Sequence, residues 1–320
     1  MPELFEDFDD VTDLAEGLSD PSPGARIMAV MELRDTADAD AIPHIARAIG
    51  DADVKVRLQA AQALTDFDGP ETAAALVTGL DDADASVRAA AAVSLTELKR
   101  PDAGGPLIAA LDGAPVEKTV ALLDGLKELR RSDALGPAID ALNHDDAGVR
   151  GAAVGVIGWL QDETALPSLM AAARDPAPSV RRIAVAAFGF SKNERAETAL
   201  VDALQDENWQ VREAAAETMA KSGSAAAAEP LMGALDDAMW QVRLKAVRSL
   251  SNLSIKAAAE KIGPLMQLEI PNLRKECAAA LGELAMEESL PFLEPFADSP
   301  DPDVRKTVRW ALGRIKQSAT

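Results

Sequence analysis

The tetrapeptide WQVR occurs at residues 209–212, within DENWQVREAAAE, and again at residues 240–243, within DAMWQVRLKAVR. Its arginine recurs every 31 residues without an insertion, and only Thr119 departs from the series. The arginines are Arg26, Arg57, Arg88, Arg150, Arg181, Arg212, Arg243, Arg274 and Arg305. A strict period of this length indicates a solenoid of about ten stacked repeats.

Each repeat predicts two α-helices. Apolar residues stand one position before the arginine and three, seven and ten positions after it, as in Val87, Ala91, Leu95 and Leu98. This spacing marks one face of a helix. The other half of each repeat predicts a first helix, such as ETAAALVTGL at residues 71–80. Six first helices carry a proline, which we expect in the first turn or at a bend; these are Pro43, Pro106, Pro137, Pro167, Pro230 and Pro291.

The composition favours an all-α fold and a cytoplasmic protein. The chain is 48% hydrophobic but only 3% aromatic and has no tyrosine, so its core must consist mainly of aliphatic residues and alanine, which suit packed helices. The single cysteine excludes an internal disulfide and fits a reducing compartment. The acidic start, MPELFEDFDD, lacks the features of a signal peptide. A net charge of −21 disfavours binding to nucleic acids and anionic membranes.

The repeat at residues 51–80, DADVKVRLQAAQALTDFDGPETAAALVTGL, resembles a HEAT repeat of the short kind first noted in phycobilin lyases. The resemblance covers residues 1–320 and implies a single α-α superhelix whose terminal repeats act as caps. Repeat four, at about residues 100–130, is atypical because it has Thr119 at the arginine position and Gly104-Gly105 in its first helix. HEAT repeats serve scaffolds, adaptors, lyase subunits and a few enzymes, so the resemblance does not select a function.

The resemblance also implies a ladder of charges along the stack. Six repeats have an aspartate six residues before the arginine position. Each arginine would bind acidic side chains and turn carbonyls of its own and the neighbouring repeat, which its rigid fork of donors permits. We predict a structural role for Arg57, Arg88, Arg150, Arg181, Arg212, Arg243, Asp51, Asp82, Asp206 and Asp237.

The sequence contains no recognisable catalytic or metal-binding constellation. His44 and His144 have no second histidine or cysteine at ligand spacing. Cys277 stands at a core position that alanine holds elsewhere, so we expect a buried apolar residue. No phosphate-binding loop or nucleophile elbow is present. We therefore predict no catalytic residue, no metal and no cofactor.

Binding residues are expected where the repeats differ on the exposed side of the second helix, which by HEAT resemblance lines the concave surface. All four tryptophans lie outside the predicted buried stripe, and tryptophan is enriched at binding hot spots. We predict that Trp209 and Trp240 anchor a partner segment. The predicted partner-binding residues are Trp209, Trp240, Leu244, Arg248, Glu213, Trp310, Trp159, Gly155, Met31 and Leu58.

Two functional hypotheses follow. The first is a monomeric, non-enzymatic scaffold or adaptor that binds a protein or peptide along its concave groove. The alternative is an accessory, lyase-like subunit that handles a tetrapyrrole or another prosthetic group for a client protein. Gly151, Gly155 and Gly158 beside Trp159 would admit a flat ligand.

Overall fold

The computed structural model describes residues 11–318 except residue 224, and these residues form twenty α-helices and short 3₁₀ turns without a β-strand. The acidic stretch 1–10 lies outside the described residues. The chain divides into two compact halves: the N-terminal half ends at Ala165, and the C-terminal half begins at Leu166. None of the described helices is long and apolar enough to cross a membrane.

The N-terminal half contains five helix pairs. Their first helices are α1 (Val11–Glu16), α3 (Ile42–Ala48), α5 (Pro70–Gly79), α7 (Gly104–Ala109) and α9 (Leu135–Ala141). Their second helices are α2 (Pro23–Asp35), α4 (Val54–Ala63), α6 (Ala85–Glu97), α8 (Val116–Leu129) and α10 (Ala147–Leu160). Each second helix contacts the first helix of its repeat and the next second helix of this half.

The C-terminal half repeats the arrangement. Its first helices are α11 (Leu166–Ala172), α13 (Glu194–Ala203), α15 (Ala228–Ala234), α17 (Ala259–Ile262) and α19 (Leu290–Leu293). Its second helices are α12 (Pro178–Ala187), α14 (Trp209–Ser222), α16 (Trp240–Asn252), α18 (Pro271–Leu284) and α20 (Pro302–Ser318). The predicted all-α solenoid of about ten helix pairs is confirmed.

The predicted apolar stripe forms the core. In α6, Val87, Ala91 and Leu95 are fully buried, and Leu98 follows directly after the helix at 1% exposure. Five of the ten second helices begin after a residue whose side chain accepts from a free backbone N–H of the first turn, as Asp84 does from Ser86 N. Burial of these stripes between consecutive helices is the main stabilising term of the stack.

The prolines of the first helices lie in the first helical turn, as predicted. In most repeats a short 3₁₀ turn precedes them, as Ala39–Ala41 precedes α3, where Pro43 is the second residue. A proline there removes no intrahelical hydrogen bond, because the first N–H groups of a helix have no partner within it. In the six repeats with this proline, the first helix therefore starts at the same distance from the arginine position.

Repeat four keeps the helix pair despite its unusual residues. Its first helix, α7, starts at Gly104, and a Cβ at that position would clash with Cδ of Arg131. Glycine therefore allows the arginine side chain to approach this helix closely. Gly113, in the loop before α8, has a φ of 66°, a left-handed conformation that glycine adopts without strain.

Candidate binding surface

The repeated arginines form hydrogen-bonded bridges between neighbouring repeats. Arg57 donates from Nε and Nη2 to the two carboxylate oxygens of Asp82, at 2.6 and 3.1 Å, and from Nη1 to the Asp51 carbonyl at 2.9 Å. Bridges of this kind join residues 25 positions apart, and they include Arg26–Asp51, Arg57–Asp82, Arg181–Asp206 and Arg212–Asp237.

The aspartates of these bridges are held in their charged form. The hydrogen bonds from Arg26 and Arg57 lower the pKa of Asp51 and Asp82, respectively. Burial acts against ionisation at Asp206, but the hydrogen bonds from Arg181 and from the backbone N–H of Asn208 outweigh it and lower the pKa. A carboxylate with several donors prefers the charged state.

The bridge is absent at Arg88. The residue 25 positions further along is Gly113, which has no side chain. Arg88 keeps the Nη1 bonds to the carbonyls of Asp82 and Ala83, at 2.9 and 3.1 Å. Its nearest carboxylate is Glu117, which is 3.8 Å from Nε and whose side chain is 86% exposed. Arg88 is itself 34% exposed, compared with 10–17% for the four bridged arginines.

In the next repeat, both the arginine and the aspartate of the bridge are replaced. Thr119 replaces the arginine, is buried, and donates its hydroxyl hydrogen toward the carbonyls of Ala114 and Pro115, at 3.2 and 3.1 Å. His144 stands where the partner aspartate would be, and its Nδ1 accepts from the backbone N–H of Asp146. A local polar contact thus replaces each half of the bridge.

Two of the predicted arginines, Arg150 and Arg243, remain to be placed. Arg150 donates from Nη1 to the carbonyls of His144 and Asp145. The Nε of Arg243 is buried and has no hydrogen-bond partner among the described residues.

A groove of about 680 Å³ lies between α6 and α8, next to Arg88. Its walls are mostly alanines and other apolar residues, with four charged groups. The lining residues are Leu80, Asp81, Ala85, Arg88, Ala89, Ala92, Pro115, Val116, Glu117, Lys118 and Ala121. Lys118, which replaces the usual buried valine, pairs with Asp81 at 2.6 Å, and its side chain is only 13% exposed.

The second helices of the N-terminal half expose four large apolar side chains. Val93 is 63% exposed, Met28 54%, Val116 41% and Trp159 40%. At 100° per residue, all four lie outside the buried stripe of their helices. We call this surface the second-helix face, defined by these four residues. The guanidinium of Arg130 lies over the Trp159 ring, 4.8 Å from its centroid, which is a cation–π distance.

The two tryptophans of the repeated tetrapeptide are half-buried. Trp209 and Trp240 are the first residues of α14 and α16. Ala85 and Val116 occupy the same position in α6 and α8, where they line the groove. The groove thus has small side chains at this position of α6 and α8, whereas α14 and α16 have indole rings there.

The other predicted binding residues lie in both halves. Met31, Leu58 and Gly155 belong to the N-terminal half, where all three are half-buried. A Cβ at Gly155 would meet Cδ of Lys127 at 3.5 Å, an ordinary contact, so a larger residue would fit there.

In the C-terminal half, Leu244 and Glu213 are half-buried. Glu213 lines a polar groove of about 330 Å³ with Arg182 and Lys245 among its other walls. Arg248 is exposed and bonds both carboxylate oxygens of Glu276, at 2.8 and 2.7 Å. Trp310 is 42% exposed, and its ring packs where a side chain on Gly282 would otherwise be.

Sequence reasoning missed Met28, Val116 and the groove beside Arg88. The signal was present, because a step of 25 residues from each arginine reaches an aspartate at five positions but reaches Gly113 from Arg88. Cys277 is fully buried, and burial raises the pKa of its thiol to about 12, so it is not a reactive thiolate at neutral pH.

The comparisons with known proteins agree with this architecture. A family model of HEAT repeats matches residues 11–103, 104–187, 168–251 and 229–313. The chain belongs to the HEAT-repeat family. The match is to HEAT repeats in general, and the phycobilin-lyase type stays a prediction. A search of the curated proteins gives no sequence match.

Solved structures share the fold at low sequence identity. The structure of Kap95p with RanGDP aligns with a TM-score of 0.67 and 14% identity, over 96% of this chain and 52% of that chain. Importin beta aligns with a TM-score of 0.66 and 13% identity, over 95% of this chain and 52% of that chain. The chain thus spans about half the length of these two proteins. The Escherichia coli protein YibA aligns with a TM-score of 0.51 and 19% identity, over 90% of this chain and 96% of that chain.

Proposed function

We propose that this protein is a non-enzymatic scaffold that binds a segment of a partner protein on the second-helix face of its N-terminal half. The observation that carries the proposal is the exposure of Met28, Val93, Val116 and Trp159 on one row of packed helices. Exposed apolar surface on one side of a protein favours binding of a partner there. Burial against a partner would remove this apolar area from water, which favours the complex.

The proposed site differs from the predicted tryptophan anchor. Trp209 and Trp240 are already half-buried in the free protein, so they have less apolar area left to bury on binding than Val93 has. The fold supports the proposal in a general way, because Kap95p, whose solenoid is similar to this one, binds the protein RanGDP.

A position-specific cross-linking experiment tests the proposal. A photoreactive amino acid replaces Val93 on α6, and in a second variant it replaces Ala74, an exposed residue of the first helix α5. In native lysate, we expect the Val93 variant to give discrete protein adducts and the Ala74 variant to give none. The double substitution Met28→Glu and Val116→Glu, made in the Val93 variant, should abolish the adducts.

Two results would reject the second-helix face as the binding surface. One is adduct formation of equal yield from both positions. The other is adducts that survive the double glutamate substitution in a chain that circular dichroism shows to be folded.

A further inference from the structure

The groove between α6 and α8 contains one arginine that receives no aspartate from its neighbouring repeat. We propose that Arg88 binds an aspartate or glutamate side chain of the partner segment, through the Nε and Nη2 groups that bind aspartate elsewhere in the chain. The inference rests on the proposed function, because it specifies the chemistry of a partner bound at the same surface.

The chain itself shows what such an arginine binds. At Arg26, Arg57, Arg181 and Arg212, Nε lies 2.6–2.7 Å from one carboxylate oxygen of the partner aspartate. Nη2 lies 2.8–3.1 Å from the other oxygen. The planar guanidinium suits this two-point recognition of a carboxylate.

Arg88 is anchored in the same way as the four bridged arginines. Its Nη1 donates to the carbonyls six and five residues before it, as Nη1 of Arg57 does. Because the carbonyl contacts are the same, the guanidinium is held in place before any partner binds. Preorganised donors lose little conformational entropy on binding.

Among the residues that the structure describes, none binds the Nε and Nη2 side of this guanidinium through two hydrogen bonds. Gly113 has no carboxylate to offer, and no side chain approaches it: a Cβ built there has no neighbour within 4 Å. Glu117 lies 3.8 Å from Nε alone and is 86% exposed. An exposed ion pair of this kind contributes about 0–1 kcal/mol, so a partner carboxylate with two good hydrogen bonds can displace it.

The surroundings specify what should flank the acidic residue. Ala85, Ala89 and Ala92 on one wall and Val116 and Ala121 on the other provide apolar contacts. Lys118 is already paired with Asp81, which leaves Arg88 as the cation that can accept a new carboxylate in the groove. The net charge of −21 repels an acidic segment at long range, but salt screens that repulsion beyond about 8 Å at physiological ionic strength.

Selection of peptide ligands tests the inference. A library of random peptides, fused at both ends so that no terminal carboxylate is free, is displayed against the full chain. We expect enrichment of peptides in which an aspartate or glutamate lies among apolar residues. The best peptide and its Asp→Asn or Glu→Gln counterpart are then titrated by fluorescence anisotropy, and the neutral counterpart should bind at least about tenfold more weakly.

Variants of the protein locate the contact. Arg88→Gln should weaken binding of the acidic peptide by at least about tenfold, while Arg88→Lys, which keeps the charge but loses the fork, should weaken it less. Glu117→Gln should tighten binding because it removes the competing carboxylate. Arg182→Gln, at an exposed arginine of α12 in the other half, is the control and should leave the affinity unchanged.

Each contrary outcome has a distinct meaning. Enrichment of peptides without an acidic residue, or binding that Arg88→Gln and Arg88→Lys leave unchanged, overturns the inference but leaves the scaffold proposal standing. Enrichment only in a second library with free C-termini overturns the assignment to a side chain in favour of a terminal carboxylate. A selection that enriches no peptide overturns the inference, whereas the cross-linking from Val93 decides the scaffold proposal separately.

Discussion

The junction between α6 and α8 and the junction between α12 and α14 have the same backbone plan but different chemistry. At the second junction, the Arg181 side chain is 10% exposed and binds both carboxylate oxygens of Asp206. Trp209 occupies the first position of α14 there. At the first junction, Gly113 replaces the aspartate, Val116 replaces the tryptophan, and a groove remains open beside Arg88.

The comparison separates what stacks the repeats from what can bind a ligand. Both junctions bury the same apolar stripe: Val87 and Ala91 are fully buried in α6, as Val180 and Ala184 are in α12. Helix stacking therefore persists without the charged bridge. The residues freed from the bridge at the first junction are then available for another partner.

The largest expected effect concerns the bridge itself. Arg181→Ala should lower the free energy of unfolding by about 3 kcal/mol, because it leaves the half-buried Asp206 without its countercharge. Arg88→Ala loses only the carbonyl bonds and a weak ion pair, so the loss should be about 1 kcal/mol. Urea unfolding of the two variants and the parent, followed by circular dichroism, measures both.

Arg182→Ala is the matched control for this comparison, because Arg182 neighbours Arg181 in α12 but is exposed. Its effect should stay within about 0.5 kcal/mol. Equal losses at positions 88 and 181 would show that the aspartate bridge adds nothing to the carbonyl contacts.

Acid should weaken the bridged junctions before it affects the unbridged one. The pKa values of Asp51, Asp82, Asp206 and Asp237 are lowered in the folded protein. At Asp51 and Asp82 the hydrogen bond from the arginine is the main cause. At Asp206 and Asp237 burial is the largest single effect and raises the pKa, but the hydrogen bonds from the arginine and a backbone N–H, together with the arginine charges, outweigh it. An aspartate whose pKa is lower in the folded protein than in the unfolded chain stabilises the fold. This stabilisation is complete above the pKa of the unfolded chain, about 3.9, and is lost as the pH falls through the pKa of the folded protein.

The test compares urea midpoints at pH 7 and at pH values below about 4. Asp82→Asn should be less stable than the parent at pH 7, and the difference should shrink as the pH falls, because the parent aspartate becomes neutral as well. Asp145→Asn changes an exposed carboxylate outside the four bridges and serves as the control. A difference for Asp82→Asn that does not change with pH would rule out ionisation of the bridge as the cause.

The fold could be predicted from the sequence because the 31-residue period specifies it. An arginine every 31 residues and an apolar stripe around it define ten helix pairs without reference to any tertiary contact. The partners of the arginines were implied only by resemblance, although a fixed step of 25 residues links each bridged pair. Periodic contacts of this kind are predictable because every repeat has the same neighbours.

The exposure of individual side chains was less predictable. Trp209 and Trp240 lie outside the core stripe, yet both are half-buried, because burial of a large ring depends on the loops and side chains of adjacent repeats. The groove likewise depends on Gly113, Ala85 and Val116 together, so no single residue of the sequence predicts it. The alternative role with a tetrapyrrole stays a prediction, since the contacts of Gly155 do not test it.

Thr119 offers a smaller test of how repeat four compensates for its missing arginine. Its hydroxyl satisfies the carbonyls of Ala114 and Pro115, which lie in the loop that an arginine would otherwise hold. Thr119→Val, which removes the hydroxyl at constant shape, should cost about 1 kcal/mol in urea unfolding. Thr78→Val is the control, because the hydroxyl of Thr78 bonds an exposed helical carbonyl that water can also reach. Equal costs at both positions would mean that the loop carbonyls do not depend on Thr119.

The smallest expected effect is at Asp124, on α8 beside the groove-lining segment of repeat four. Burial raises the pKa of this carboxyl, and the nearby Lys127 only partly opposes the shift. An aspartate with a raised folded pKa costs stability as the pH rises through that value, so the folded protein carries the cost at pH 7 and not near pH 3. Asp124→Asn should therefore raise the free energy of unfolding at pH 7 by up to about 0.5 kcal/mol, and this gain should vanish in acid. Glu128→Gln changes a half-buried neighbour on the same helix and serves as the control, which should show no such pH-dependent gain. A loss of stability in Asp124→Asn at pH 7 would mean instead that the Asp124 carboxylate makes a favourable contact in the folded protein.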